Sequence, residues 1–325
     1  MNYRKLGKWG LKISEVSLGS WMTRLASEQQ VTAAQEVVNF AYENGINFFD
    51  CADAYSGGEA ERFLGRCLAP CRRSSLVISS KVYFPVGDGP NDRGLSRKHI
   101  FEQIDASLKN LQTDYLDLYF CHRYDQETPL EETLQAMSDL VAQGKVLYYG
   151  VSEWTAPQLL EALRIIEAKG LHPLSVIQPQ YNMFDRYIEE REITDICKAH
   201  GIGVVAFSPL AQGLLTGKYR KGQGIPEGSR ATYQSDRQVN RLLTEENLEI
   251  VEKLLPLARQ QGCSLSALAL AWALREPVVS RVICGASRAQ QLAQNIEAAN
   301  VTLPAEMLEE IDRIFGFSKS VRKIG

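Results

Sequence analysis

The sequence of 325 residues has no long hydrophobic run and no strong excess of charge of either sign. No apolar stretch approaches the ~20 residues that a transmembrane helix requires. Residues 1–5 lead into no apolar segment of the kind that a secretory signal peptide contains. The formal net charge is −3, which provides no basic surface for nucleic acid. These absences favour a cytoplasmic protein that neither inserts into membranes nor binds nucleic acid.

Patterns of cysteine, histidine and glycine that indicate bound metals or dinucleotides are also lacking. The 7 cysteines are odd in number and include no C-x-x-C pair, so we expect reduced, mostly buried thiols. The 4 histidines form neither H-x-H nor H-E-x-x-H, and no metal site is predicted. No G-x-G-x-x-G sequence occurs early in the chain, which argues against a doubly wound dinucleotide-binding sheet.

The sequence does contain a regular alternation of short apolar segments and amphipathic segments. Residues 3–13 predict a small hairpin around Gly7 and Gly10. Strands are then predicted at residues 16–19, 46–49, 76–81, 115–121, 146–151, 175–178, 203–207 and 282–284. Helices are predicted at residues 31–44, 59–68, 96–111, 130–142, 156–168, 189–199, 244–260, 264–275 and 289–299.

This alternation predicts an α/β fold in which right-handed crossovers join parallel strands. Eight strand–helix units over ~250–300 residues have the size of a closed (β/α)8 TIM barrel. An open, doubly wound sheet is the alternative. No linker rich in Pro, Gly and Ser separates two domains. The Gly-rich segments 87–94 and 213–230 follow the third and seventh strands, and we predict long loops over the active face there.

Chemically useful side chains stand at consecutive strand ends. Asp50 follows the second predicted strand and Tyr55 lies in the loop after it, while Lys81 and His122 stand at the ends of the next two strands. Because the carboxyl ends of parallel strands lie on one face, we expect these four side chains to converge. The other histidines lack such a context and are predicted to be structural: His99, His172 and His200.

The order D-x-A-x-x-Y, strand-end Lys and strand-end His resembles the aldo-keto reductase superfamily. Four further segments extend the resemblance over essentially the whole chain: GVSEW at 150–154, QPQYN at 178–182, SPLAQGLLTGKY at 208–219 and GASRAQQLAQN at 285–295. The sequences of these segments are most similar to the branch that includes voltage-gated potassium channel β subunits and their bacterial relatives. The resemblance implies that residues 1–325 form a single barrel domain with a short N-terminal β-hairpin.

The resemblance implies NADPH-dependent reduction of aldehydes and ketones to alcohols by hydride transfer. Tyr55 would be the general acid, and Lys81 would lower the pKa of its phenol from the ordinary value near 10. Asp50 would pair with Lys81 and balance its buried charge. His122 would donate a hydrogen bond to the substrate oxygen and orient the carbonyl.

The resemblance also implies how NADPH would be held. Ser152 and Gln178 would bind the nicotinamide carboxamide, Phe207 would stack on the ring, and Arg230 or Arg288 would contact the 2′-phosphate or adenine. The loop after the seventh strand and the start of the last helix would bind the phosphates. The predicted cofactor-binding residues are Ser20, Trp21, Asp50, Ser152, Gln178, Phe207, Ser208, Pro209, Leu210, Ala211, Gly213, Lys218, Arg230, Gly285, Ser287, Gln291, Gln294 and Asn295.

Two positions depart from the pattern that the resemblance implies. Glu153 stands where relatives often have Asn or Arg, and an ionised Glu can accept hydrogen bonds but cannot donate them. It could accept one from the carboxamide, but its role is left open. Cys51 replaces the commoner Thr beside Asp50. We expect a small buried residue there, with a redox-sensing thiol as the minor alternative.

Two other functions compete with the carbonyl reductase. One is a regulatory β subunit of a potassium channel that uses a bound nicotinamide cofactor as a redox sensor. By resemblance the channel subunits have Asn at the position of His122, and Tyr3 already starts the fold, so no long extension that reaches a pore is expected. Both points favour the enzyme. The other is a barrel hydrolase that uses Asp50, but no partner acid is evident.

The substrate and the oligomeric state are not determined by these patterns. Specificity in barrels lies in loops, here at residues 21–29, 84–95, 123–128 and 219–242. An aromatic-lined mouth for small carbonyl compounds is predicted from Trp21, Tyr83, Phe84 and Tyr124. The branch that the sequence resembles often forms homotetramers, and a homotetramer is the corresponding expectation.

Overall fold

A closed barrel of eight parallel strands lies at the centre of the computed structural model, which describes residues 1–21, 25–232 and 237–317. An antiparallel hairpin of β1 (Tyr3–Lys5) and β2 (Lys12–Ser14) precedes it. The barrel strands are β3 (Val16–Gly19), β4 (Phe48–Asp50), β5 (Val77–Val82), β6 (Leu116–Cys121), β7 (Val146–Ser152), β8 (Val176–Gln178), β9 (Gly203–Ala206) and β10 (Val279–Cys284). β10 pairs with both β9 and β3, which closes the barrel. The predicted (β/α)8 barrel with an N-terminal hairpin is confirmed.

Helices surround the barrel, and several begin at a serine that caps them. The Ser96 and Ser264 side chains accept hydrogen bonds from backbone N–H groups three residues later, which satisfies a donor that the helix leaves unpaired. No helix in the described ranges has both the length and the apolar character to cross a bilayer. The α-helices are α1 (Glu28–Glu43), α2 (Glu59–Leu68), α3 (Arg97–Leu111), α4 (Leu130–Ala142), α5 (Ala156–Lys169), α6 (Tyr187–Glu190), α7 (Ile193–His200), α8 (Arg237–Leu242), α9 (Glu245–Gln260), α10 (Leu265–Leu274), α11 (Ala289–Ile296) and α12 (Ala305–Ile314).

The structure differs from the sequence-based expectation mainly at element boundaries. The helix predicted at 189–199 is broken, because Glu192 has a left-handed φ of 63° and separates α6 from α7. The last strand begins at Val279 rather than 282, because the polar Ser280 and Arg281 inside β10 interrupt its apolar run. The helix predicted at 289–299 ends at Ile296 and continues as a 3₁₀ turn, and neither α8 nor α12 was predicted.

The barrel interior is filled by apolar side chains and closed at its amino-terminal end by the hairpin. Leu6 and Ile13 of the hairpin segment pack in one cluster with Phe48, Leu118 and other inward-facing strand residues. Gly150 makes this packing possible, because a Cβ there would lie 2.4 Å from Val176 Cγ1. The hairpin therefore blocks the amino-terminal end of the barrel. The opposite end, at the carboxyl termini of the strands, is the one that a ligand can enter.

Candidate active site

Three side chains from two neighbouring strands and the loop between them meet at the carboxyl-terminal end of the barrel. Lys81 on β5 is fully buried, and its Nζ lies 2.6 Å from Asp50 Oδ2, 2.5 Å from the Cys51 carbonyl oxygen and 3.4 Å from Tyr55 Oη. The three N–H groups of the ammonium are thereby all used. The structure thus brings Asp50, Tyr55 and Lys81 together as a connected group.

The Asp50 carboxylate is fixed by further donors. Its Oδ1 accepts hydrogen bonds from Ser79 Oγ at 2.7 Å and from Gln178 Nε2 at 3.0 Å. Both the backbone N–H and the hydroxyl of Ser20 donate to the Asp50 carbonyl oxygen at 2.9 Å. A buried ion pair is stable only when its remaining polar atoms are satisfied, and the donors of Ser79 and Gln178 satisfy the carboxylate side of the pair.

The protonation states follow from burial and from the ion pair. Burial raises the pKa of Tyr55 to about 12, and Lys81 opposes this rise without overcoming it. Burial alone would lower the pKa of Lys81, but the attraction of Asp50 and Tyr55 outweighs burial and raises it. Lys81 does lower the pKa of Tyr55, as expected, but burial has the larger effect, and the pKa therefore lies above its ordinary value. At neutral pH the phenol keeps its proton and the amine is charged.

His122 follows β6 and faces Tyr55. Its backbone N–H donates to the Val82 carbonyl oxygen at 2.9 Å, which holds the residue beside β5. The imidazole is in an edge-to-face arrangement with two rings, Tyr55 at a centroid distance of 5.7 Å and Phe84 at 4.8 Å. Burial, together with the charges of Lys81 and Arg123, lowers the pKa of His122 well below its ordinary value. The imidazole is therefore neutral and can donate one hydrogen bond.

A cavity of about 1170 Å³ opens over this group and extends across the barrel mouth. Its size exceeds the ~300–1,000 Å³ of a typical small-molecule pocket, which leaves room for a large cofactor together with a substrate. Most of the predicted site residues line it: Trp21, Asp50, Tyr55, His122, Ser152, Gln178, Phe207, Ser208, Pro209, Leu210, Gly213, Lys218, Arg230, Gly285, Ser287, Gln291, Gln294 and Asn295. Three do not line it: Ser20, Lys81 and Ala211.

The three residues that do not line the cavity have other positions. Lys81 lies behind Tyr55, whose hydroxyl its Nζ contacts at 3.4 Å. The Ser20 hydroxyl donates its hydrogen bond to the Asp50 carbonyl oxygen. Ala211 is buried, and its N–H donates to the Ser208 carbonyl oxygen at 3.0 Å. The predictions that Ser20 and Ala211 contact a cofactor therefore receive no support from their positions.

The loop after β9 has an unusual backbone beside the cavity. Ser208, Ala211 and Gln212 all have left-handed φ angles, between 46° and 58°, which residues other than glycine rarely adopt. Gly213 follows with φ 97°, and a Cβ there would lie 3.1 Å from Lys218 Nζ. Strained backbone of this kind persists where the surrounding structure enforces it, commonly at ligand sites.

Cationic side chains line the part of the cavity formed by the β9 and β10 loops. Lys218 is exposed, the Arg230 guanidinium lies 4.6 Å above the Trp21 ring, and Arg288 precedes α11. All of these side chains line the cavity, as does the half-buried ring of Phe207. Cations at one end, an aromatic face and the Ser152 and Gln178 polar groups at the other form a donor set that fits a nicotinamide dinucleotide.

Several cavity residues were not predicted from the sequence. Arg123 donates from Nη1 to the His122 carbonyl oxygen at 2.6 Å and to Ser152 Oγ at 3.4 Å. Its position next to His122 was the available indication. Neutral polar residues of the cavity wall were also missed. Gln180, Gln212 and Thr216 lie within the recognised segments 178–182 and 208–219, which gave no indication of their individual positions. The others are isolated along the chain and have no distinctive pattern: Gln30, Gln238, Ser264 and Ser266.

Other expectations are resolved by position. The Glu153 carboxylate accepts hydrogen bonds from the Gln180 N–H at 2.7 Å and from Tyr187 Oη at 2.9 Å, so it supports the loop after β8. Cys51 is buried, as expected, and burial raises its pKa, so the thiol is unreactive. Of the aromatic residues predicted at the mouth, Trp21 and Phe84 line the cavity, while Tyr83 and Tyr124 do not.

Comparison with known proteins gives a consistent result over almost the whole chain. Residues 15–315 match the model of the aldo/keto reductase family. A protein of Arabidopsis thaliana named probable voltage-gated potassium channel subunit beta is 42% identical over 319 residues, which are 97% of this chain and 96% of that protein. A protein of the same name from Oryza sativa subsp. japonica is 41% identical over 317 residues, covering 97% of this chain and 95% of the relative.

Proposed function

The chain belongs to the aldo/keto reductase family, and we propose that it is an NADPH-dependent oxidoreductase that reduces aldehyde and ketone carbonyls to alcohols. The observation that carries the proposal is the contact of 3.4 Å between Tyr55 Oη and Lys81 Nζ at the wall of the cavity. A protonated phenol beside a fixed cation is suited to donate a proton to an oxygen that becomes negatively charged.

Each of the four side chains has a separate part in this reaction. A nicotinamide bound in the cavity would supply the hydride. Tyr55 donates a hydrogen bond to the substrate oxygen and then its proton, and Lys81 stabilises the phenolate that remains. Asp50 keeps the ammonium in place. His122, which is neutral, donates a second hydrogen bond that orients the carbonyl against the cofactor.

The high pKa of Tyr55 is compatible with this role. At about 12 it keeps the phenol protonated throughout the physiological range. An alkoxide is a stronger base than a phenolate even at this pKa, so the proton moves to the product oxygen once the hydride has arrived. The phenol therefore loses its proton only when the reaction needs it.

For the cofactor we propose that Ser152 and Gln178 bind the carboxamide and that the loop after β9 binds the pyrophosphate. Lys218, Arg230 and Arg288 lie on the part of the cavity wall where the phosphates would be placed, and guanidinium groups bind phosphate with paired hydrogen bonds. Three cations for one dinucleotide favour NADPH, which carries the additional 2′-phosphate, over NADH.

A panel of small aldehydes and ketones tests this proposal with purified protein and NADPH. We expect the nicotinamide absorbance to fall upon addition of at least some aldehydes, and to fall more slowly at equal concentrations of NADH. Cofactor binding is measured separately by fluorescence titration. Binding of NADPH without reduction of any member of the panel would contradict the enzymatic function.

The names of the relatives support a second candidate function. Two proteins that are 41–42% identical are each named as a probable voltage-gated potassium channel subunit beta. In this alternative the protein is a cytoplasmic regulatory subunit with a bound nicotinamide cofactor. Tight NADPH binding, absent carbonyl turnover and association with a channel would favour it. A homotetramer is proposed for either function, and light scattering coupled to size-exclusion chromatography measures the number of subunits.

A further inference from the structure

A guanidinium lies at the substrate end of the cavity and is not used by the proposed mechanism. Arg123 directly follows His122, and its side chain is half-buried on the cavity wall. Nη1 donates to the His122 carbonyl oxygen and to Ser152 Oγ, and the guanidinium carbon lies 5.4 Å from the centre of the Phe84 ring. Within the described residues, Nε and Nη2 donate no hydrogen bond to the protein.

The charge of this guanidinium is not balanced by the protein. No described carboxylate lies within ion-pair distance of Arg123, whereas the nearby Lys81 ammonium is paired with Asp50 at 2.6 Å. The imidazole next to it is neutral, because burial lowers the pKa of His122. The other cations of the cavity wall belong to the loops after β9 and β10, and β10 lies across the barrel from β6. Arg123 therefore makes the substrate end electropositive.

The position of the guanidinium relative to the reacting group is set by a chain of ring contacts. The Tyr55 and His122 rings have centroids 5.7 Å apart, those of His122 and Phe84 are 4.8 Å apart, and Arg123 lies against Phe84. A substrate oxygen held between Tyr55 and His122 would leave the rest of the molecule facing Phe84 and Arg123. A carboxylate is the group that the paired donors of a guanidinium match best at such a place.

We propose that Arg123 is a specificity-determining residue that binds the carboxylate of acidic carbonyl substrates, namely aldehydes or ketones with a carboxyl group a few bonds from the carbonyl carbon. This inference rests on the proposed reductase function and adds the substrate class to it. The same guanidinium could act instead through Ser152 on the cofactor, and the experiment below separates that outcome.

The test uses benzaldehyde, its 2-, 3- and 4-carboxy derivatives and the methyl ester of each acid as substrates. The three positions of the carboxylate vary its distance from the carbonyl group, and each ester is the uncharged counterpart of its acid. We expect the wild-type protein to have a higher kcat/KM for at least one carboxybenzaldehyde than for its ester. Added salt should reduce this preference, because it screens the charge.

Arg123→Met removes the charge while keeping most of the side-chain volume. We expect kcat/KM for the preferred acid to fall by about 10- to 100-fold, as for the loss of one hydrogen bond to a charged group, with a change of less than about threefold for benzaldehyde and an unchanged KM for NADPH. Arg123→Lys should retain part of the preference for the acid, because it keeps the positive charge but loses the paired N–H donors of the guanidinium. Arg313→Met, which changes an exposed arginine on α12, is the matched control.

The possible results separate this inference from the proposed function. Reduction of benzaldehyde without any preference for an acid over its ester would overturn the role of Arg123 and leave the reductase function intact. Equal losses for acid and ester, or a raised KM for NADPH in Arg123→Met, would assign the guanidinium to the cofactor and also overturn it. Absence of any aldehyde reduction by the wild-type protein would overturn both proposals.

Discussion

The Lys81 ammonium has three hydrogen atoms, and each is directed at a different oxygen: one of a carboxylate, one of a peptide and one of a phenol. This arrangement leaves the cation no other position. It also explains why Asp50 and Lys81 can be buried together, since each satisfies the other and a lone buried charge would be costly. At this scale the proposed mechanism depends on the proton of the Tyr55 phenol and on the fixed position of the Lys81 ammonium.

Replacement of Tyr55 by phenylalanine tests the proton donor. The variant keeps the ring that packs against His122 but loses the hydroxyl group. We expect carbonyl reduction to fall by about 10²- to 10⁴-fold, the usual contribution of a general acid, while the Kd for NADPH stays within about threefold. Single-turnover kinetics and fluorescence titration measure the two quantities. Near-normal turnover would rule out Tyr55 as the acid.

Asp53 provides a prediction about pH. It is buried in the loop between β4 and Tyr55, where its Oδ1 accepts a hydrogen bond from the Ala54 N–H and its own N–H donates to the Lys81 carbonyl oxygen. Burial and the nearby Glu61 raise the pKa of Asp53 to about 8. The folded state therefore retains a proton that the unfolded chain releases near pH 4. The resulting stabilisation is complete below pH 4 and is lost as the pH rises through 8.

Asp53→Asn removes this titration and keeps the oxygen that accepts from Ala54. We expect the free energy of unfolding of the variant, relative to the wild type, to rise between pH 5 and pH 8, by at most about 1.4 kcal/mol per pH unit. Urea unfolding curves at several pH values measure it. A difference that does not depend on pH would show that Asp53 is ionised in the folded protein.

At the scale of elements, the loop after β9 is the segment on which the proposed preference for NADPH depends. Its left-handed residues and Gly213 turn the chain sharply, and the Asn182 side chain donates to the Ser208 carbonyl oxygen and holds the turn from β8. The loop thereby places Lys218 over the cavity instead of against the protein surface. The strain in the loop and the position of its cation have one structural origin.

Lys218→Ala and Arg230→Ala test whether these cations bind the 2′-phosphate. We expect each to raise the Kd for NADPH by about 10- to 100-fold, as for loss of a charge-assisted hydrogen bond, with a much smaller change for NADH. Lys221→Ala is a matched control, because that lysine is exposed on the same loop and pairs with Glu249. Equal losses for both cofactors would place recognition of the 2′-phosphate elsewhere.

For the whole molecule, a buried polar cluster joins the C-terminal helix to the barrel. The Glu189 carboxylate accepts hydrogen bonds from Tyr181, Arg186 and Arg275, and Arg186 also pairs with Asp312 of α12 at 2.5 Å. Burial would raise the pKa of Glu189, but these donors outweigh burial and lower it to about 2. Its stabilisation is therefore present above about pH 4.5 and is lost as the pH falls through 2.

Glu189→Ala should destabilise the fold by about 3 kcal/mol at pH 7, the lower end of the range for breaking a buried ion pair, because the buried Arg186 and the half-buried Arg275 each lose one carboxylate while Arg186 keeps Asp312. The exposed Glu190 provides the control, since Glu190→Ala removes the same charge from the same helix. Denaturant unfolding at pH 7 and at pH 3 measures both variants. The deficit of Glu189→Ala should be smaller at pH 3; a deficit equal to that of the control would show that the cluster adds no stability.

The barrel and the arrangement of its polar strand ends followed from the sequence by itself. Apolar strands that alternate with helices have few folds available, and parallel strands place their carboxyl ends on one face, so Asp50, Lys81 and His122 could be predicted to meet there. These features depend on local periodicity and on handedness, which are encoded within a few tens of residues.

The tertiary structure decided what depends on burial and on partners that are distant in sequence. Arg281 lies inside the barrel, fully buried and 3.6 Å above the Phe48 ring, with no hydrogen bond to any described residue. The direction of the Tyr55 pKa, the partners of Glu189 and the uncompensated charge of Arg123 are of the same kind. Each depends on how strongly burial disfavours a charge and on contacts between residues that are distant in sequence. Neither the burial nor the contacts can be read from the linear sequence.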